Sequence, residues 1–290
     1  MYSKNMIYFV LFLASLGCQA ENQDEPGFTS LNTESTVTVP GPLNQDAVSQ
    51  EEAAVEIIQE EVYEVIPGSE QVAYLAFSSC LDVQEKIAEA PSGVYRLFYQ
   101  DELGEQQFLD AYCDMTEEGG GWTMILNYVH QGATNPPLTT RTDSMPMLNS
   151  SQLGDDEQNS AFWGHIAPSL LSMFNFTELR FFCRTNDHNR VLHFKTDLAT
   201  CLDYGRKGAG SCNGVEGSFI ALTGHTTNLP GLNTGGDGER LDRALTETTF
   251  RGNNNLSHWS IGSSLDSNDW ECDNDPDNEM FHTIHRMWFR

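Results

Sequence analysis

The chain has 290 residues, of which 39% are hydrophobic and 10% aromatic, and it carries 24 glycines. This composition excludes disorder throughout and suits a loop-rich globular fold better than a helical bundle; the length allows one large domain or two ordinary ones. The 42 acidic residues against 15 basic ones give a formal charge of -27. Such a field repels phosphate backbones and anionic membrane surfaces, which argues against nucleic acid as a partner and is compatible with divalent cations. Most of these charges read as a solvated surface.

Residues 1–20, MYSKNMIYFVLFLASLGCQA, combine one Lys, an apolar stretch from Met6 to Leu16 and small residues just after it. That is the pattern of an export signal. The apolar run falls short of the about 20 residues that a membrane-spanning helix needs. Two cleavage readings compete. Cys18 and Ala20 fit the small-x-small rule of ordinary signal peptidase, whereas Leu16-Gly17-Cys18 resembles a bacterial lipobox in which Ser15 stands where Leu is usual. Lipidation of Cys18 would anchor the protein to a membrane by its acyl chains, the one membrane contact expected. The expected location is therefore extracellular, either secreted or as a cell-surface lipoprotein. Both readings remove Cys18 from the fold and leave Cys80, Cys113, Cys183, Cys201, Cys212 and Cys272. An even set in an oxidising compartment predicts three disulfides.

Residues 21–75 read as an acidic, disordered linker. From Glu21 to Tyr74 there is no Lys, Arg or Cys, and Pro26, Pro40, Pro42 and Pro67 interrupt any long element. One-signed charge and few large apolar residues cannot offset the entropy of ordering such a segment. Within it, Val55, Ile58, Val62 and Val65 fall on one stripe of a helix over Gln50 to Val65. The stripe is read either as a seam for a homo-oligomer or as a transient helix, since short isolated helices are marginal.

From residue 76 to 290 aromatics, cysteines and turn signals appear together, and here one α+β, disulfide-stapled domain is expected. Strands are predicted at Gly93–Tyr99, Gly121–Tyr128, Leu179–Arg184 and Val191–Thr196, short and rich in aromatic and β-branched residues. Asn186 to Asn189 supplies a turn between the last two. Helices are predicted at Leu81–Ala90, ending before Pro91, and at Pro168–Phe174, opening on Pro. The Gly- and Asn-rich interval Ala199 to Gly238 exceeds ordinary loop lengths, which predicts that it is pinned by a disulfide or functional.

One run carries a specific signal. A Cys precedes a short helix at Cys80, Ser92-Gly93-Val94-Tyr95 enters a strand, Tyr112-Cys113-Asp114-Met115 follows, and Gly119-Gly120-Gly121-Trp122-Thr123 closes the block. In these residues and their spacing the run resembles the opening of fibrinogen C-terminal-like domains. The closing DNEMFHTIHRMWFR looks like the end of intelectins, with His285, Met287 and Phe289 on one side of a terminal strand and Arg286, Trp288 and Arg290 on the other. The resemblance implies a loop-rich fibrinogen-like fold, a Cys80–Cys113 disulfide and a Trp122 buried beneath the glycines. Of the remaining cysteines, Cys201 and Cys212 flank a short Gly-rich loop that can close, which would leave Cys183 for Cys272; the alternatives stay open. The family's late Cys followed by Asn-Leu-Asn-Gly is missing.

The strongest site candidate is an acidic stretch. Asp266, Asp269, Glu271, Asp273, Asp275, Asp277 and Glu279 crowd it, with Asn268, Asn274 and Asn278 between them. Calcium takes six to eight oxygen ligands in flexible geometry, and a loop dense in carboxylates and amides supplies them. Asn255 and His258 lie just upstream, reminiscent of the residues through which intelectins hold calcium and a sugar diol. Trp259 and Trp270 flank the stretch as candidates for stacking on a sugar face, or as core residues. His188 and His193 read as turn and strand residues, and His282 with His285 would point to opposite faces of a strand.

Enzyme motifs are absent from the sequence: no His-Glu-x-x-His, no Gly-x-Ser-x-Gly and no nucleotide loop. The expectation is a non-enzymatic recognition module that binds glycans or glycoproteins with calcium. The alternative is a structural or adhesive protein-binding module without sugar.

Overall fold

A computed structural model describes residues 63–65, 72–74, 76–148, 153–154, 157–208, 210–212, 214–226, 229, 245–246, 250–251, 257–264, 267–273 and 281–290. They form an α+β fold dominated by sheet. The block that resembles a family opening begins with helix α1 (Cys80–Lys86). Ser79 caps it, its Oγ accepting from the Asp82 N–H at 3.1 Å, and Lys86 reaches back to Asp82 at 3.0 Å. The helix stops earlier than the sequence pattern suggests. Ile87 is already extended and Glu89 takes φ +60°, so the chain turns out of the helix well before Pro91.

Strands β3 (Gly93–Gln100) and β4 (Gln106–Asp114) follow as an antiparallel hairpin, and Cys113 bonds to Cys80. Both sulfurs are fully buried. Closing a loop of this length stabilises the fold by about 3 to 4 kcal/mol in the chain-entropy model. Beyond the hairpin the three glycines turn the chain into β5 (Trp122–His130). At Gly120, with φ +80°, a Cβ would lie 2.5 Å from the Met115 carbonyl oxygen, so no larger residue fits the turn. Trp122 is buried as expected and donates its indole N–H to the Glu117 carbonyl at 3.0 Å.

β5 is buried at every position because it lies inside the main sheet. On one side it pairs with β14 (Thr283–Phe289), which in turn pairs with β8 (Leu179–Thr185) and so on to β9 (Val191–Thr196) and β10 (Ile220–Ala221). On its other side β5 pairs with β4 only at Cys113–Thr123 and Asp114–Trp122. From Leu126 that side is taken by β7 (Gly164–Ile166), itself paired in parallel with β6 (Thr140–Arg141). The β3–β4 hairpin therefore leaves the sheet after two residue pairs. The closing strand alternates as expected: Met287 and Phe289 enter the main core, whereas Trp288 joins Trp122 and Met124 on the opposite face.

Helix α2 (Pro168–Leu171) starts on its Pro as predicted but is shorter than the sequence suggested. Three elements differ more. The interval after Ala199 opens with a helix, α3 (Ala199–Lys207), pinned by a Cys201–Cys212 disulfide. Within the stretch read as disordered linker, β1 (Tyr63–Val65) pairs with β2 (Val72–Tyr74). Alternating Tyr and Val on either side of Pro67-Gly68 favour a strand pair over the helix drawn through Val65. The remainder of that stripe, and Cys18, lie outside the described residues. The third difference concerns the acidic stretch. Part of it is strand: β12 (Ser257–Ser264) pairs with β13 (Ser267–Glu271), and β11 (Phe250–Arg251) adds to β12. Among the described residues no helix is long and apolar enough to cross a membrane.

Candidate functional site

The β12–β13 hairpin forms because its apolar residues share one side. Ile261 pairs with Trp270 across the ladder, and both are buried together with Trp259. Gly262 takes φ +70° where a Cβ would meet Leu138 at 2.8 Å. Trp270 stacks on His130 with ring centroids 4.3 Å apart and planes 5° from parallel. Trp259 meets His285 edge-on at 4.8 Å. The two tryptophans put forward as sugar-stacking faces are thus fully enclosed. Burial of large aromatic area in the core outweighs their exposure as a platform.

Immediately after Trp270 the chain is fixed at three successive residues. Glu271 is buried, and its carbonyl accepts from His285 Nε2 at 2.8 Å. Cys272 bonds to Cys183 on β8, closing a separation of 89 residues. Asp273 turns with φ +61°, and its carboxylate is held by Arg190 on one oxygen and His258 on the other. Its carbonyl receives Arg190 and lies 3.0 Å from His188 Nε2. The β8–β9 turn and β12 are therefore both tied to one buried aspartate.

This placement sorts the candidate residues. Asp273, expected as a calcium ligand, faces two cationic or protonatable groups, and a carboxylate neutralised in this way is a poor donor to a second cation. Glu271 points into the protein and not into a loop. Asp269 lies on β13. Asp266, Asp275, Asp277, Glu279 and Asn255 lie outside the described residues. His258 is brought to the site, as a partner of Asp273. Among the described residues no group of three His, Cys, Asp or Glu side chains converges in a way that would hold a metal.

Sequence reasoning missed Arg190, His188, His130 and His285 as parts of this site. Arg190 lies 83 residues from Asp273 along the chain, and no local pattern encodes such a pairing. His285 could have been suspected from its place inside an apolar terminal strand. Complete burial pushes its pKa down to about 3, against a smaller opposing effect from the Glu271 carbonyl. His130 is likewise shifted down by burial; its Nε2 lies 2.9 Å from the Thr134 carbonyl and its Nδ1 3.1 Å from that of Phe281. Burial disfavours the charged form of both imidazoles, which are parts of the core.

A second polar cluster lies on the opposite face of the sheet. The Arg180 guanidinium sits 3.7 Å from the Trp288 ring centroid and 5.1 Å from that of Trp122, while Arg290 covers Trp122 at 4.2 Å. Arg180 pairs with Asp114 at 2.7 Å. Burial acts to raise the Asp114 pKa, but Arg180 and the Thr116 N–H outweigh it and hold the carboxyl below its ordinary value. Lys195 bridges Glu118 at 2.5 Å and Glu178 at 2.8 Å, and Arg290 pairs with both. Each carboxylate here is matched by a cation, which makes the cluster a clamp for the last residue of the chain.

No family model matches the chain. Two solved structures are similar to it at low identity. The fibrinogen-like globe domain of human ANGPTL6 is 18% identical over 79% of this chain and 97% of that one, with a TM-score of 0.34. The fibrinogen-like globe domain of human ANGPTL2 is 13% identical over 73% of this chain and 98% of that one, with a TM-score of 0.35.

Proposed function

We propose that this chain is an exported recognition module that binds glycans or glycoproteins, with calcium held by the acidic segment around Cys272. The observation that carries the reading is the fixed base of that segment. Glu271, Cys272 and Asp273 are buried and tied to β8, β14 and the β8–β9 turn, so the acidic residues on either side leave from a rigid point. The donors for calcium are then Asp266, Asp269, Asp275, Asp277 and Glu279, hard oxygen ligands of the kind calcium prefers. Asp273 is not among them. The location is extracellular, in keeping with three formed disulfides and the export signal.

The burial of Trp259 and Trp270 favours a second reading, an adhesive module that binds protein without sugar. Thermal unfolding in excess calcium and in chelator, combined with a glycan array, separates the two. Calcium well above its dissociation constant raises the midpoint by several degrees if only the folded state binds it. Asp275→Ala with Asp277→Ala then removes both that shift and glycan binding. Equal midpoints in calcium and chelator, with glycan binding intact in the double variant, sink the calcium-dependent reading. A blank array with retained protein binding selects the adhesive module.

A further inference from the structure

The β3–β4 hairpin has two unlike faces. Leu97, Leu109 and Ala111 enter the core, and Tyr99 packs on Phe174 with ring centroids 5.5 Å apart. The opposite face carries the cross-strand pairs Val94–Tyr112, Arg96–Asp110 and Phe98–Phe108. Phe108 is 55% exposed, Val94 39% and Leu103, in the turn, 84%. Of the four large hydrophobic residues exposed among the described residues, these are three; the fourth is Ile220. Scattered single exposures need no explanation, but three on one ribbon make a patch.

The rim of the patch has one sign. Glu102, Glu105 and Asp110 are exposed and Asp101 is half-buried, whereas Arg96 is the hairpin's one cation and is paired to Asp110 at 3.1 Å.

We infer that the outer face of this hairpin is a docking surface for an extended, cationic protein segment that alternates basic and apolar side chains. Laid across that face, its apolar residues cover Phe108, Val94 and Leu103 and its cations meet the acidic rim. A second copy of the chain is disfavoured as occupant by the formal charge of -27 on each.

The test uses the full mature protein and three fluorescein-labelled peptides of equal length: alternating Lys-Val, alternating Lys-Ser and alternating Glu-Val. Fluorescence anisotropy should show Lys-Val binding, weakened about tenfold by Phe108→Ser, since covering one large apolar side chain is worth about that factor. Glu102→Lys with Glu105→Lys should weaken it too, and raised salt should reduce what remains. Ile220→Ser is the control and should leave binding unchanged. Circular dichroism confirms that each variant is folded, and Leu103→Ser replaces Phe108→Ser if the latter is not. Equal binding of Lys-Ser and Lys-Val would overturn the inference in favour of attraction to the whole acidic surface. So would Lys-Val binding that the hairpin variants do not change. Concentration-dependent dimerisation lost in Phe108→Ser, with no Lys-Val binding, would overturn it in favour of self-association.

Discussion

The regions closed by the Cys80–Cys113 and Cys183–Cys272 disulfides are built on opposite principles. The first joins neighbours: its cysteines are 33 residues apart, the helix and hairpin between them make local contacts, and their inner face is apolar. The second joins strangers, with a separation of 89 residues and a surround of buried polar groups: Glu271, Asp273, His258 and His285. A local apolar unit leaves one face free for solvent or a partner. A long-range polar unit spends its functional groups on holding itself together.

This contrast explains what could be read from the sequence. Much of the Cys80 to Trp122 block was legible because its requirements are local: a short helix after Cys80, glycines where a Cβ would strike Met115, and the aromatic and β-branched residues of β3, whereas its partner β4 was not predicted. The three disulfides were anticipated as well. The acidic stretch was read as a loop because density of Asp and Asn outweighs β propensity locally. Yet Trp259, Ile261 and Trp270 alternate as a hairpin would, and core burial decided in their favour. The roles of Arg190 and His130 depend on contacts across the fold and had no local signature. Helix α3 was hidden by Gly205 in its interior, since glycine is a poor helix former.

The contrast is open to attack first through the disulfides. In the chain-entropy model the longer loop is worth about 4 to 5 kcal/mol and the shorter about 3 to 4 kcal/mol. Cys183→Ala with Cys272→Ala should therefore lower the denaturant midpoint more than Cys80→Ala with Cys113→Ala. The reverse order would mean that the first region depends on its staple more than its apolar packing implies.

A second test separates anchoring from calcium binding. Asp273→Asn leaves Arg190 and His258 facing a neutral group, and breaking a buried pair costs about 3 kcal/mol or more. The Asp273 side chain is 5% exposed but that of Arg190 is 45%, so solvent screening places the loss at the lower end. The loss should be the same in calcium and in chelator. A loss seen only in calcium would return Asp273 to the set of metal ligands.

Acid should act on the polar region before the apolar one. His285 has a folded pKa of about 3, below the ordinary histidine value near 6.5, so the unfolded state binds more protons between these limits. Stability from this residue is complete above about 6.5 and falls as pH drops towards about 3. His130 and His193, both shifted down by burial, act in the same direction. His285→Gln should flatten the decline of the thermal midpoint between pH 6.5 and 4, and an unchanged slope would show that the carboxylate pairs dominate it.

The smallest effect belongs to the outer face of the β3–β4 hairpin. Arg96 and Asp110 pair at 3.1 Å with side chains 71% and 49% exposed. Water screens such a pair, and measured exposed pairs contribute at most about 1 kcal/mol. The neighbouring Phe108 touches solvent over half its area, so truncating it removes little core packing. Arg96→Ala and Phe108→Ser should each shift the denaturant midpoint far less than Asp273→Asn does. A face that can be altered without cost to the fold is free to serve as a docking surface. If either substitution destabilises the protein as much as Asp273→Asn, the outer face is part of the hairpin's own packing, and the division between a local apolar unit and a long-range polar one fails.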